Sequence, residues 1–190
     1  MNASRSFLLV ALLGLGGVAF AKVYEHLRPE APAWLGGNAL AALAVGGPSP
    51  EVSAADEKGA PKTLASLRGR PVLLNFWFSD CAPCREEMAS LDRLARKLGD
   101  RLPVVTLSVD PSWAKVRAFH DADPALRGRK PAYRLWLDAK KSTPPRFGSF
   151  KFPETFLIGK DGELVARFVG PRDWSSPAAL ALMERIAVSP

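Results

Sequence analysis

Apolar residues follow two regimes along this chain. The first is continuous. Residues 7–21 (FLLVALLGLGGVAFA) carry no charge, with Arg5 before them and Lys22 after. As a helix at 1.5 Å per residue they reach roughly 22 Å, short of the ~30 Å hydrocarbon layer of a bilayer. Two readings fit. One is a secretory signal peptide cleaved after the small-residue site Ala19-Phe20-Ala21. The other is an uncleaved anchor that recruits Val23 and Tyr24 while Lys22 snorkels. Both send the body of the protein across a membrane. Residues 22–47 are rich in Ala, Gly and Pro and are interrupted at Gly36-Gly37 and Gly46-Gly47. They read as a tether.

From residue 48 onward short apolar runs alternate with amphipathic stretches, the pattern of an α/β domain over 48–190. Residues 51–69 give short alternating pieces around a Glu57-Lys58-Gly59 turn. Residues 72–78 (VLLNFWF) form an almost unbroken apolar run, as expected of a strand buried on both faces. A helix is predicted over 81–98, stopped by Gly99. A second buried strand follows at 104–109. Strand, helix, strand predicts parallel pairing through a right-handed crossover. Further along, a helix is predicted at 112–120 and a short strand at 135–137. A hairpin is predicted from 155–158 and 164–169 around Gly159-Lys160-Asp161-Gly162. A closing helix is predicted over 177–187, with Pro177 in its first turn.

Composition narrows the function. Of 190 residues 26 are Lys or Arg and 19 Asp or Glu, a net charge of +7. No helix interleaves basic and aromatic residues, so nucleic acid is not an expected partner. The only cysteines are Cys81 and Cys84, in one Cys-Ala-Pro-Cys unit, which excludes a multi-bridge disulfide scaffold. The two histidines, His26 and His120, are far apart, so no metal site is expected. Neither histidine looks placed to act as a base. Both read as solvent-facing or capping. No phosphate loop, dinucleotide fingerprint or Ser/His/Asp arrangement is present. The basic stretches Arg127-Gly128-Arg129-Lys130 and Lys140-Lys141 read as solvated surface.

The cysteine pair sits where thiol chemistry is favoured, after a buried strand and at a helix start. Unpaired N–H groups and the helix dipole stabilise a thiolate there. Cys81 is predicted at the exposed helix start and Cys84 one turn in, with Pro83 in the first turn, where its missing N–H costs nothing. Stepping ~100° per residue from Cys84, Met88, Leu91, Ala95 and Leu98 fall on one face. Arg85, Glu86, Asp92, Arg93, Arg96 and Lys97 fall on the other. Glu87 lies inside the apolar stripe, one turn from Cys84. A carboxylate there is costly unless it is paired or used. It reads either as a proton carrier for the dithiol or as a side chain that bends out to solvent. Asn75, the other polar residue in an apolar run, reads as a hydrogen-bonding core residue.

The stretch PVLLNFWFSDCAPCREEMASL resembles the active-site segment of the thioredoxin superfamily, above all the envelope oxidoreductases of the TlpA, ResA and CcmG type. Residues 64–71 resemble the lead into their central strand. Phe152-Pro153-Glu154-Thr155-Phe156-Leu157-Ile158 resembles their cis-proline strand. The resemblance covers roughly residues 48–188. It implies a thioredoxin-like fold, a central mixed sheet with flanking helices. It implies Cys81 and Cys84 as the redox pair and Glu87 as the buried glutamate. It also implies a cis-Pro153 beside the dithiol that leaves the Phe152 backbone free for a partner peptide, with Trp77 as the central-strand aromatic of the substrate face. Three departures stand out. Asp80 replaces the usual Trp before the first cysteine, Asn75 stands where cytoplasmic thioredoxins carry a buried Asp (common in the envelope group), and Ala89 replaces a helix-kinking Pro. Residues 142–151 also look shortened.

The expected function is therefore thiol–disulfide exchange without a cofactor, on the outer side of the cytoplasmic membrane or in the periplasm. The resemblance implies disulfide-containing envelope proteins as partners, as in cytochrome c maturation, and a membrane protein as thiol donor. Asp80 and Glu87, both negative, oppose the thiolate and favour a reductant, with Asp80 and Pro83 as redox-tuning residues. The competing readings are a disulfide-introducing oxidant and a redox-inactive metal carrier on the same fold.

Overall fold

A computed structural model describes residues 43–188. The apolar segment 7–21, the spacer up to residue 42 and His26 lie outside the described residues. Eight strands form one mixed sheet: β1 (Leu43–Ala44), β2 (Ala54–Ala55), β3 (Pro61–Lys62), β4 (Val72–Trp77), β5 (Val104–Ser108), β6 (Arg134–Leu137), β7 (Glu154–Ile158) and β8 (Leu164–Val169). Their spatial order is β1-β8-β7-β4-β5-β6-β2-β3. β4, β5 and β6 are mutually parallel. β7 runs antiparallel to β4 and β8. The helices are α1 (Ala82–Leu98), α2 (Trp113–Ala122), the single turn α3 (Thr143–Arg146) and α4 (Pro177–Val188). No helix among the described residues is long and apolar enough to cross a membrane.

β4 occupies the middle of the sheet, and all six of its residues are buried. Alternation along a strand sends its side chains to opposite faces. Leu73 and Trp77 join the core under α1 and α4. Val72, Leu74 and Phe76 join the opposite core with Phe147 and Phe156. Asn75 shares a face with Leu73 and Trp77, so it must meet α1.

The α1 stripe packs as its spacing predicts. Met88, Leu91, Leu94 and Leu98 are at most 2% exposed, each contributing about 2 kcal/mol of burial. The helix runs unbroken through Ala89 and ends at Gly99, whose φ of 54° suits glycine and whose N–H returns to the Ala95 carbonyl. Asp92 departs from the wheel. It is buried although the wheel puts it outside, because the loop after α2 folds across that side of α1. Its carboxylate accepts from Ala132 N at 2.6 Å and from Arg96 Nε at 2.9 Å, with Arg129 at 3.4 Å. Arg129 is thus tied into the fold rather than simply solvated.

The sheet also takes in Leu43 and Ala44, which pair with Arg167 and Ala166 inside the stretch expected to be spacer. The segment 142–151 does hold only one helical turn.

Candidate active site

Residues 78–81 carry the chain from the end of β4 into α1. Asp110, at the end of β5, holds this turn. Its carboxylate accepts from Ser79 N at 3.0 Å and Ser79 Oγ at 2.7 Å, and from Ser108 Oγ at 2.8 Å. Cys81 is then the N-cap of α1, and its Sγ accepts from Cys84 N at 3.2 Å. Cys81 and Cys84 are joined as a disulfide. Cys81 keeps 7% exposure and Cys84 none. Pro83, the second residue of the helix, lies where no N–H is required. A thiolate at Cys81 would face the Cys84 N–H and the positive end of a 17-residue helix, both of which favour it.

The peptide bond between Phe152 and Pro153 is cis. Cys81 Sγ lies 3.8 Å from the Phe152 carbonyl oxygen, so the disulfide and this backbone share one surface. Phe152 meets Phe78 edge-on at 5.8 Å. Beside them is a groove of about 350 Å³ lined by Phe78, Val109, Pro144, Pro145, Phe150 and Phe152. Phe150 is 78% exposed on its rim.

Trp77 is not on that surface. It is fully buried beneath the turn, 5.0 Å from the Phe119 ring, and cannot touch a partner. Its place on the α1 face of β4 turns it inward. His120 is half-buried, and both its ring nitrogens are engaged. Its Nε2 lies 2.6 Å from the Tyr133 hydroxyl and its Nδ1 2.9 Å from the Val116 carbonyl. Burial, with Asp92 and Asp123 nearby, pushes the Tyr133 hydroxyl well above its usual range. Asp80 is exposed and ion-paired with Lys115 of α2. That pair raises the Lys115 ammonium and offsets the negative charge that the sequence places beside the thiolate.

Glu87 is 1% exposed and does not bend out to solvent. Its Oε1 accepts from Asn75 Nδ2 at 2.6 Å. Its Oε2 accepts from Trp174 Nε1 and from the Arg172 backbone N–H, each at 3.1 Å. Burial pushes the carboxyl up to about 7, against the pull of these donors and of the Arg172 charge. A group poised there both takes and gives a proton near neutrality. The sequence singles out Asn75 and Glu87 separately. The parity of β4 was the available signal for joining them. Arg172 and Trp174 lie in an aperiodic loop after β8 and carried no such signal, nor did the Ser79–Asp110 link.

Residues 44–182 match the Redoxin family. The thioredoxin-like protein YneN of Bacillus subtilis is 30% identical over 125 residues, covering 64% of this chain and 69% of that protein. The thiol-disulfide oxidoreductase ResA of Bacillus thuringiensis is 28% identical over 129 residues, covering 67% and 71%. Among solved structures, the thioredoxin domain of a thiol-disulfide oxidoreductase from Bacteroides vulgatus superposes with a TM-score of 0.62 at 22% identity, covering 76% of this chain and 99% of that one. That likeness concerns the fold. With a mixed sheet, a Cys-Ala-Pro-Cys pair capping α1 and a cis-proline against it, the chain belongs to the redoxin family, as a TlpA/ResA-like member of the thioredoxin superfamily.

Proposed function

We propose that this protein is a thiol–disulfide oxidoreductase that reduces disulfides of partner proteins on the outer side of the cytoplasmic membrane. The observation that carries the activity is the Cys81–Cys84 disulfide at the start of α1, in contact with the Phe152–Pro153 backbone. In the reduced protein the Cys81 thiolate attacks one sulfur of a partner disulfide. A Cys81–partner disulfide forms and the partner's other sulfur leaves as a thiolate. Cys84 then passes its proton to the Glu87 carboxylate and attacks Cys81 Sγ. The Cys81–Cys84 bond closes and the second partner sulfur leaves, protonated from Glu87 or solvent. Two electrons and two protons pass to the partner, and a thiol donor at the membrane restores the dithiol. Apocytochrome c maturation is one process with this requirement.

The reducing direction rests on Glu87. An ionised carboxylate buried one turn from Cys84 opposes the thiolate, and a less stable thiolate makes the dithiol a stronger reductant. Asp80 adds less than its charge suggests, because Lys115 pairs with it. Phe152 and Pro153 are the backbone against which a partner segment docks.

Trapping tests the roles. Cys84→Ser should accumulate mixed disulfides through Cys81, and Cys81→Ser should form none. Preferential alkylation of Cys84 under limiting reagent would reverse the assignment. Equilibration with a glutathione buffer tests the direction. A potential near the roughly −120 mV of a strong oxidant would make the protein an oxidant instead.

A further inference from the structure

Asn75 Oδ1 is buried on the α1 face of the sheet without a hydrogen-bond partner. The other end of the same amide is fully used. Nδ2 donates to Glu87 Oε1 at 2.6 Å and to Thr155 Oγ1 at 2.9 Å. This suits an ionised Glu87 and conflicts with a protonated one. Oε2 faces two donors, Trp174 Nε1 and Arg172 N, fixed by a buried ring and by the backbone. A proton on Oε2 would meet them head-on, so the proton belongs on Oε1, opposite Asn75. If the amide turns over, Oδ1 accepts from the Glu87 hydroxyl and from the Thr155 hydroxyl, and both bonds persist with their sense reversed. Either way one end of the amide is unpaired and the other makes two bonds, so both states keep the same number of bonds, the one to the ionised carboxylate being the stronger.

We propose that Asn75 is the proton-state partner of Glu87: its amide donates to the carboxylate and reverses to accept from the carboxylic acid, while Trp174 and Arg172 hold the other oxygen still. Asn75 is a positioning residue, acting on the cysteines only through Glu87, and this rests on the reading of Glu87 as the proton carrier. The groups facing the Glu87 carboxylate are Asn75 from β4, and Arg172 and Trp174 from the loop after β8, while Cys84 and Ser90 lie three residues away on either side along α1. Thr155 of β7 reaches it through Asn75. The Arg172 guanidinium favours the ionised form.

The test uses the unmodified oxidised protein. Between pH 5 and 9, the Asn75 side-chain NH₂ resonances should titrate together with the Glu87 carboxyl carbon. The Trp174 indole N–H should stay hydrogen-bonded throughout. In Glu87→Gln, whose neutral amide imitates the acid, the Asn75 signals should not titrate. Asn75 signals that ignore pH, or loss of the Trp174 bond instead, would overturn the proposal.

Asn75→Leu keeps the bulk and removes both senses of the bond. It should move the Glu87 inflection in the pH–rate profile of exchange up by about one unit, because the charged form loses the stronger bond. In the Glu87→Gln background the same change should move nothing. If Glu87→Gln itself leaves the exchange profile unchanged, the proton-carrier reading falls, and the resonance titration still decides the role of Asn75.

Discussion

Glu87 accepts three N–H groups and still titrates only near 7, because removal from water outweighs them. This has a thermodynamic sign. Between about pH 4.5 and 7 the folded protein keeps a proton that the unfolded chain has released. Stability therefore falls as pH rises across that window, and the loss is complete above it. The shift from 4.5 to about 7 corresponds to about 3 kcal/mol. Glu87→Gln cannot ionise and can keep Trp174 and Arg172 on its oxygen. We expect it to remove this slope, so that the variant gains on the wild type as pH goes from 5 to 8. Urea midpoints of the two oxidised proteins across that range measure it, and parallel pH dependences would refute a buried ionisation. At this scale the sequence was legible where chemistry conflicts with pattern. A carboxylate in an apolar stripe and an amide in a buried strand both stood out. Trp77 did not betray its burial, nor His120 its hydrogen bonds to Val116 and Tyr133, because an aromatic at a strand end and a histidine at a helix end suit core and surface equally.

The main elements were legible from their apolar pattern, β4 and β5 as unbroken runs buried on both faces and α1 by its helical period. A helical wheel fails where a helix meets more than one neighbour. α1 presents its apolar stripe to the sheet, but its flank bearing Asp92 is covered by the chain between α2 and β6. That loop has no period of its own; Leu126 and Tyr133 anchor it in the core, and the buried Asp92 carboxylate ties down its middle. Asp92 is 1% exposed, whereas its partners Arg96 and Arg129 are 45% and 56% exposed. The carboxylate's hold on Ala132 N therefore matters more than the two half-solvated ion pairs. We expect Asp92→Ala to cost about 2 kcal/mol, by removing the buried acceptor that Ala132 N, Arg96 and Arg129 share and loosening the loop. Asp92→Asn, which keeps one acceptor, should cost about half as much. Denaturant unfolding of the two variants measures this. A loss below about 0.5 kcal/mol for Asp92→Ala, the range of ordinary surface changes, would mean the loop is held elsewhere.

Across the whole molecule, the central strands were readable and the sheet edges were not. β1, β2 and β3 have two residues each and join the sheet through backbone hydrogen bonds, which any sequence can supply. The described sheet therefore reaches at least to Leu43, a few residues before the change in composition. Upstream of it, what the sequence offers is hydropathy. Residues 7–21 are uncharged, and in sequence they lie well before the described redox site, which draws on β4, α1, the cis-proline segment and the loop after β8. A dithiol that reduces envelope disulfides must lie outside the cytoplasm, so the two parts make one prediction. Fusing a reporter that is active only outside the cytoplasm to the C-terminus should give activity with the full chain and none after deletion of residues 1–21. The deleted protein should still exchange disulfides in solution at an unchanged rate, because the described redox site lies between Asn75 and Trp174. Reporter activity that persists without residues 1–21 would remove the export role. Loss of exchange in the deleted protein would show that the N-terminal segment contributes to the domain itself. N-terminal sequencing of the exported protein then separates cleavage after Ala21 from retention as an anchor.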